Sequence, residues 1–162
     1  MPNYDFSTLH DKEFEELCTQ LLSLKLNTHV ERFKAGKDGG IDGRFFTSDG
    51  NQVVIQCKHW AKTGLTALLR SIEKSERSKV IKINPTRYIF MTSIELSKAD
   101  KDKIKNSFGN VNLSTKDIHG KEDINDLLAQ HPSIERGNFK LWLHSAEMIS
   151  HFTNSALIGR SR

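Results

Sequence analysis

Between Asp11 and Leu26 the apolar residues Phe14, Leu17, Cys18, Leu21 and Leu22 return every three or four positions, the spacing of an amphipathic helix that buries one stripe. At about 100° per residue, Glu16 falls nearly opposite that stripe, whereas Glu15 sits at its edge close to Leu22. Only Glu15 is therefore placed to reach a cleft beside the core. A short extended run, His29 to Phe33, leads into Gly36-Lys37-Asp38-Gly39-Gly40-Ile41-Asp42-Gly43, where glycines break regular structure and admit close backbone approach to a ligand. Two extended runs, Ile41 to Thr47 and Gln52 to His59, then flank Ser48-Asp49-Gly50-Asn51, a hairpin signal. The hairpin sets Asp42 and Lys58 at the same open end. Strand alternation turns Gln56 and Lys58 one way and sends Ile55 and Cys57 into the core.

Leu65, Leu68, Leu69 and Ile72 predict a second helix over Thr63 to Lys79, with Arg70, Lys74 and Arg77 on its other face. After Asn84-Pro85 the run Arg87 to Thr92 reads as a buried strand. Ser97 caps a lysine-rich helix that reaches about Phe108. Val111 to Ile118 is a further strand candidate, Glu122 to Gln130 a further helix, and the apolar positions from Asn138 to Phe152 suggest one or two more helices. Strand, helix, strand, helix in this order implies an α/β sheet with a crossover. We expect residues 1–135 to form the main domain and 136–162 a small C-terminal helical extension, with residues 154–162 resembling a linker.

Composition narrows the class. The 162 residues are 36% hydrophobic and 27% charged, a globular balance without repeats, apolar spans or a signal-peptide pattern at the N-terminus. A cytoplasmic protein is expected. Cys18 and Cys57 lack ligand spacing and read as reduced packing residues, which argues against zinc. A net charge of +4 permits polyanion binding without requiring it.

Chemistry enters with the hairpin. Cleaving a phosphodiester needs a nucleophilic water, neutralisation of charge on the phosphate and help for the leaving oxygen. Mg²⁺ serves the first two needs when oxygen ligands hold it and leave positions open. Asp42 is the obvious charged ligand, Gln56 can offer its amide oxygen, the Cys57 backbone carbonyl lies beside it, and Glu15 can add a second carboxylate. Lys58 is then placed to orient the attacking water and offset negative charge. Gly36-Lys37 lacks the spacing of a phosphate-binding P-loop, and Asp38 reads as a turn residue among glycines. His59 and Trp60 suit packing as well as substrate contact.

These residues resemble the Mrr-like branch of the PD-(D/E)xK restriction-endonuclease superfamily: Phe14-Glu15 in the first helix, the glycine-rich run ending in Ile41-Asp42, Gln56-Cys57-Lys58-His59-Trp60, and Phe90-Met91-Thr92-Ser93 before a helix. The resemblance implies a mixed central sheet flanked by helices and a metal-dependent nuclease site on Glu15, Asp42 and Lys58. Gln56 stands where the superfamily usually has a carboxylate, and glutamine is common in this branch. The resemblance further implies a DNA endonuclease using Mg²⁺, with Mn²⁺ as a substitute. It would cut double-stranded DNA with little sequence preference, as a defence effector joined to a sensor or NTPase region. Duplex cutting by a one-strand cleft implies a homo-oligomer. Lys37, Arg70, Lys74 and Arg77 are candidate DNA contacts, as is the Lys98/Lys101/Lys105 face, although interleaved Glu73, Glu76, Asp100 and Asp102 suit a merely solvated surface equally well. The alternatives are a nuclease-like module that binds DNA or protein without cutting, and a nuclease acting on RNA or branched DNA.

Overall fold

The computed structural model describes residues 3–33, 43–59 and 64–143. A five-stranded mixed sheet is at its centre, in the spatial order β1-β2-β3-β4-β5. Strands β1 (Glu31–Arg32), β2 (Gly43–Phe46) and β3 (Gln52–Lys58) pair antiparallel, and β4 (Arg87–Thr92) and β5 (Ile118–His119) continue parallel from β3. The β2–β3 turn forms because the Thr47 hydroxyl bonds Asp49 and Gly50 takes a φ of 83°, a value that costs glycine little.

Helices cover both faces, so alternate residues of β3 enter different cores. On one face α1 (Asp11–Lys25) and α5 (Lys121–Gln130) bury Phe14, Leu17, Leu21, Ile124 and Leu128 against Val53, Ile55, Ile89 and Met91. The short helices α6 (Pro132–Gly137) and α7 (Phe139–Leu143) join this layer, where Leu141 is buried and the Thr8 hydroxyl bonds the Lys140 carbonyl at 2.9 Å. On the other face α2 (Gly64–Ser71), α3 (Arg77–Ile83) and α4 (Lys98–Phe108) bury Leu68, Ile72, Val80, Ile104 and Phe108 against Val54, Tyr88 and Phe90. Edge-to-face rings at 5.2 Å (Tyr88–Phe108) and 5.5 Å (Phe90–Phe108) lock that second core.

Helices α2 and α3 are one continuous rod joined by a π turn, Ile72–Glu76, closed by the Arg77 N–H on the Ile72 carbonyl. The rod extends past the expected end at Lys79 and stops at Asn84, which adopts the left-handed conformation (φ 51°) before Pro85. The strand expected over Val111 to Ile118 shrinks to Ile118–His119. Ser114 instead caps a 3₁₀ turn at Thr115–Asp117, the local side-chain bonding by which serine competes with a strand ladder. Elsewhere α1, the hairpin strands, β4, α4 and α5 follow the sequence pattern to within a few residues. Residues 34–42, 60–63 and 144–162, and with them Lys37, Asp38, Asp42 and Trp60, lie outside the described residues. No helix among the described residues is long and apolar enough to cross a membrane.

Candidate active site

The last three residues of β3 are Gln56, Cys57 and Lys58, and alternation decides their environments. Cys57 packs with the α1 layer, whereas Gln56 and Lys58 face the α2–α3 rod. Gln56 is only 2% exposed, and both ends of its amide are engaged. Its Nε2 donates to Glu76 Oε2 at 2.6 Å, and its Oε1 accepts from the Tyr88 hydroxyl. The amide oxygen proposed from sequence as a metal ligand is thus turned into the protein.

Lys58 reaches past Gln56 to the same carboxylate, with Nζ 3.0 Å from Glu76 Oε1 and a side chain 23% exposed. Lys79 approaches that oxygen at 3.7 Å from one helical turn away. One buried acid therefore sits between two ammonium groups, leaving a net positive locus at the rim. Sequence reasoning placed Glu76 among surface charges and missed it. The signal was present, because Leu68, Ile72, Glu76 and Val80 recur every four residues and all are buried. At 100° per residue Glu76 falls about 40° from Ile72 and about 20° from Leu69, inside the apolar stripe. The π turn, closed by a bond five residues apart, ends on this acid.

Glu15 behaves as its edge position implies: its side chain is 12% exposed, against 43% for Glu16, and it pairs with Lys12 at 3.3 Å. The α1 turn from Glu15 to Thr19 lies against β2, since a Cβ built on Gly43 would sit 3.6 Å from Thr19 Cγ2. Glu15 is one turn, about 6 Å along the axis, from the contact with the residue that follows Asp42. The described contacts thus gather Gln56, Lys58 and Glu76 on one sheet face, with Glu15 rising from the helix on the other. Phe14, beside Glu15, stacks on His59 just past β3, so this part of α1 lies toward the C-terminal end of that strand, the end where open α/β sheets bind ligands.

His59 is a packing residue. It stacks on Phe14 with centroids 4.8 Å apart, its Nε2 donates to the Leu9 carbonyl at 2.7 Å, and its Nδ1 pairs with the Ser93 hydroxyl at 2.8 Å. Of the candidate DNA contacts, Arg70 and Lys74 are exposed, while Arg77 donates to the Ser107 carbonyl at 3.3 Å and ties α3 to α4. Lys101 pairs with Asp123 at 2.8 Å. Among the described residues no group of three or more His, Cys, Asp or Glu is arranged to hold a metal ion.

Residues 6–118 match the model of a restriction-endonuclease family, the Mrr catalytic domain. The chain belongs to this family. It is a restriction-endonuclease-like nuclease domain, and the matched stretch contains β1 to β4, α1, the π-interrupted rod and α4, and ends at the first residue of β5. The chain is also 34% identical, over 154 residues and 95% of its length, to the uncharacterized protein y4cD of Sinorhizobium fredii (strain NBRC 101917 / NGR234). It spans 24% of that relative.

Proposed function

We propose that this Mrr-type domain is a Mg²⁺-dependent DNA endonuclease that hydrolyses duplex phosphodiesters with little sequence preference, Mn²⁺ substituting for Mg²⁺. The observation that carries the reading is Lys58 itself. A partly exposed ammonium is held at the end of β3 by a buried carboxylate, in a chain whose family is that of restriction endonucleases. The surplus positive charge of Lys58 and Lys79 over Glu76 favours an anionic phosphate at that rim.

The donor set suits a hard cation once Gln56 is set aside. Glu15 and Asp42 offer carboxylate oxygens, the ligands Mg²⁺ prefers, whereas the Gln56 oxygen is occupied by Tyr88. A bound divalent ion would supply charge neutralisation and an activated water. Within the protein, Lys58 orients that water and offsets charge developing on the phosphate, and Gln56 fixes the Lys58–Glu76 pair rather than binding the ion. Each cleft acts on one strand, so duplex cutting requires two copies. A cytoplasmic defence effector, working with a sensor or NTPase region, is the setting this reading implies.

Supercoiled plasmid, linear duplex, branched DNA and RNA, each incubated with and without EDTA, test the proposal. We expect EDTA-sensitive cleavage of duplex DNA, with Lys58→Ala and Asp42→Ala each lowering kcat at least about 100-fold, the scale of removing one preorganised electrostatic group. Undiminished cutting by either folded variant would overturn the assignment. The engaged amide of Gln56 favours one second reading, a nuclease-like module that binds DNA without cutting. Calorimetric Mg²⁺ and Mn²⁺ titration discriminates, because that module would show no Asp42-dependent metal binding.

A further inference from the structure

Glu76 is the residue whose burial neither the fold nor the site so far explains. It lies on the line of Leu68, Ile72 and Val80, all at most 1% exposed, where an apolar side chain would continue the stripe. Burying a carboxylate there is unfavourable unless it is paired and fully hydrogen-bonded, and packed apolar replacements of buried ion pairs are often neutral or stabilising. The rod also gives up α-helical regularity over Ile72–Glu76, a rare departure that recurs at functional sites. Two unfavourable features thus coincide: the buried carboxylate is also the last residue of the π turn.

Its two oxygens have different nearest partners, with Lys79 farther from Oε1 at 3.7 Å. Oε2 takes the Gln56 amide at 2.6 Å and Oε1 takes the Lys58 ammonium at 3.0 Å. Upstream, the Tyr88 hydroxyl donates to Gln56 Oε1, which leaves Nε2 as the group that must face Glu76. The order Tyr88, Gln56, Glu76, Lys58 is therefore directional. It also accounts for glutamine at position 56, since a carboxylate there would meet Glu76 oxygen to oxygen.

We propose that Glu76 is the positioning residue of the Lys58 site, supplying from a helix the negative charge that position 56 lacks and fixing the ammonium where the phosphate is attacked. The catalytic consequence rests on the nuclease reading; the control over Lys58 does not. Glu76 acts through Lys58 and Gln56 and touches neither substrate nor water in the reaction.

The test compares wild type, Glu76→Gln, and the swap Gln56→Glu with Glu76→Gln, which returns the carboxylate to the strand and keeps an amide opposite it. Two readouts are taken on folded protein: kcat and KM for plasmid cleavage with Mg²⁺, and the rate at which an amine-acylating reagent labels Lys58, followed by mass spectrometry. Glu76→Gln should lower kcat about 100-fold with KM within about two-fold, as expected for an interaction realised in the transition state. The swap should recover at least about one-tenth of wild-type kcat. Lys58 labelling should rise several-fold in Glu76→Gln and fall back in the swap, with other lysines except Lys79 unchanged.

Wild-type kcat in Glu76→Gln, or Lys58 labelling indifferent to the change, would overturn the proposal. Should Glu76→Gln not fold, Glu76→Met, which continues the apolar stripe, is measured by the same readouts and judged by the same outcomes. A wild type that cleaves nothing while its Lys58 labelling responds as expected sinks the nuclease reading and leaves the positioning role standing. Cleavage lost in Lys58→Ala but untouched in Glu76→Gln sinks the positioning role alone.

Discussion

Removing one oxygen from Tyr88 probes the hydrogen-bonded chain behind the site without disturbing its packing. Tyr88 is fully buried, and its ring meets Phe90 and Phe108 at 6.4 and 5.2 Å, contacts that phenylalanine preserves. Tyr88→Phe deletes the hydroxyl that donates to Gln56 Oε1 and leaves a buried acceptor short of a donor, at a cost of about 1–3 kcal/mol. In a domain of this size a mid-range loss of about 2 kcal/mol lowers Tm by roughly 4–8 °C. Urea unfolding followed by circular dichroism measures the loss directly. A cycle with Gln56→Leu isolates the share that passes through Gln56, because in that background the hydroxyl no longer has the Gln56 acceptor. We expect the cost of Tyr88→Phe to be smaller there by at least about 1 kcal/mol, the lower end of that range. A cost equal in both backgrounds, or one already below that level in the wild type, would refute the chain as drawn.

Two further predictions concern the frame around the site. His119 is 7% exposed; burial, then Lys25, pulls its pKa down to about 4, and Lys101 acts the same way while Asp123 and Asp117 oppose them. Since the unfolded chain takes up the proton first, near the ordinary 6.5, stability is full above that pH, declines as pH falls toward 4, and levels off below. The loss amounts to about 3 kcal/mol at most. Urea titrations at pH 7 and 4.5 should show a clearly smaller pH effect in His119→Leu than in wild type, and equal effects would refute the assignment. A Cβ on Gly43 would lie 2.8 Å from Val30 Cγ1 and 3.1 Å from the Glu31 carbonyl. Gly43→Ala should therefore cost about 1–3 kcal/mol as an overpacked site, with part of it returned by Val30→Ala, and a thermal midpoint unmoved by Gly43→Ala would contradict the close approach.

Which parts of this molecule the sequence discloses follows from the range of the forces involved. Periodicity reports burial along a single element, so α1 was legible from spacing, as was the edge position of Glu15 beside the exposed Glu16, while local signals marked the hairpin turn, the apolar run of β4 after Pro85 and the Ser97 cap of α4. Local side-chain bonding at Ser114 is harder to weigh against a strand run, and there the expected strand was too long. Gln56 and Glu76 show the deeper limit. A polar residue in a strand reads as facing a site, but the sheet is covered on both sides, and only packing reveals that the amide is enclosed by Tyr88 and Glu76. Glu76 was hidden by its neighbours along the chain, since Glu73, Lys74 and Arg77 suggest a solvated stretch, although at 100° per residue Glu76 falls about 20° from Leu69 on the apolar stripe. The row Leu68, Ile72, Glu76 and Val80 carries that information, and an acid on an apolar row is the clue that repays attention.

The π turn carries a consequence that side-chain replacement would never expose. Five residues on this wide turn close about the same rotation that four close in an α-helix. A homologue one position shorter between Ile72 and Glu76 would therefore run as ordinary helix with both halves still turned to the sheet. Chain length in this rod adjusts how the acid presents its oxygens to the Gln56 amide and the Lys58 ammonium, not which face it occupies.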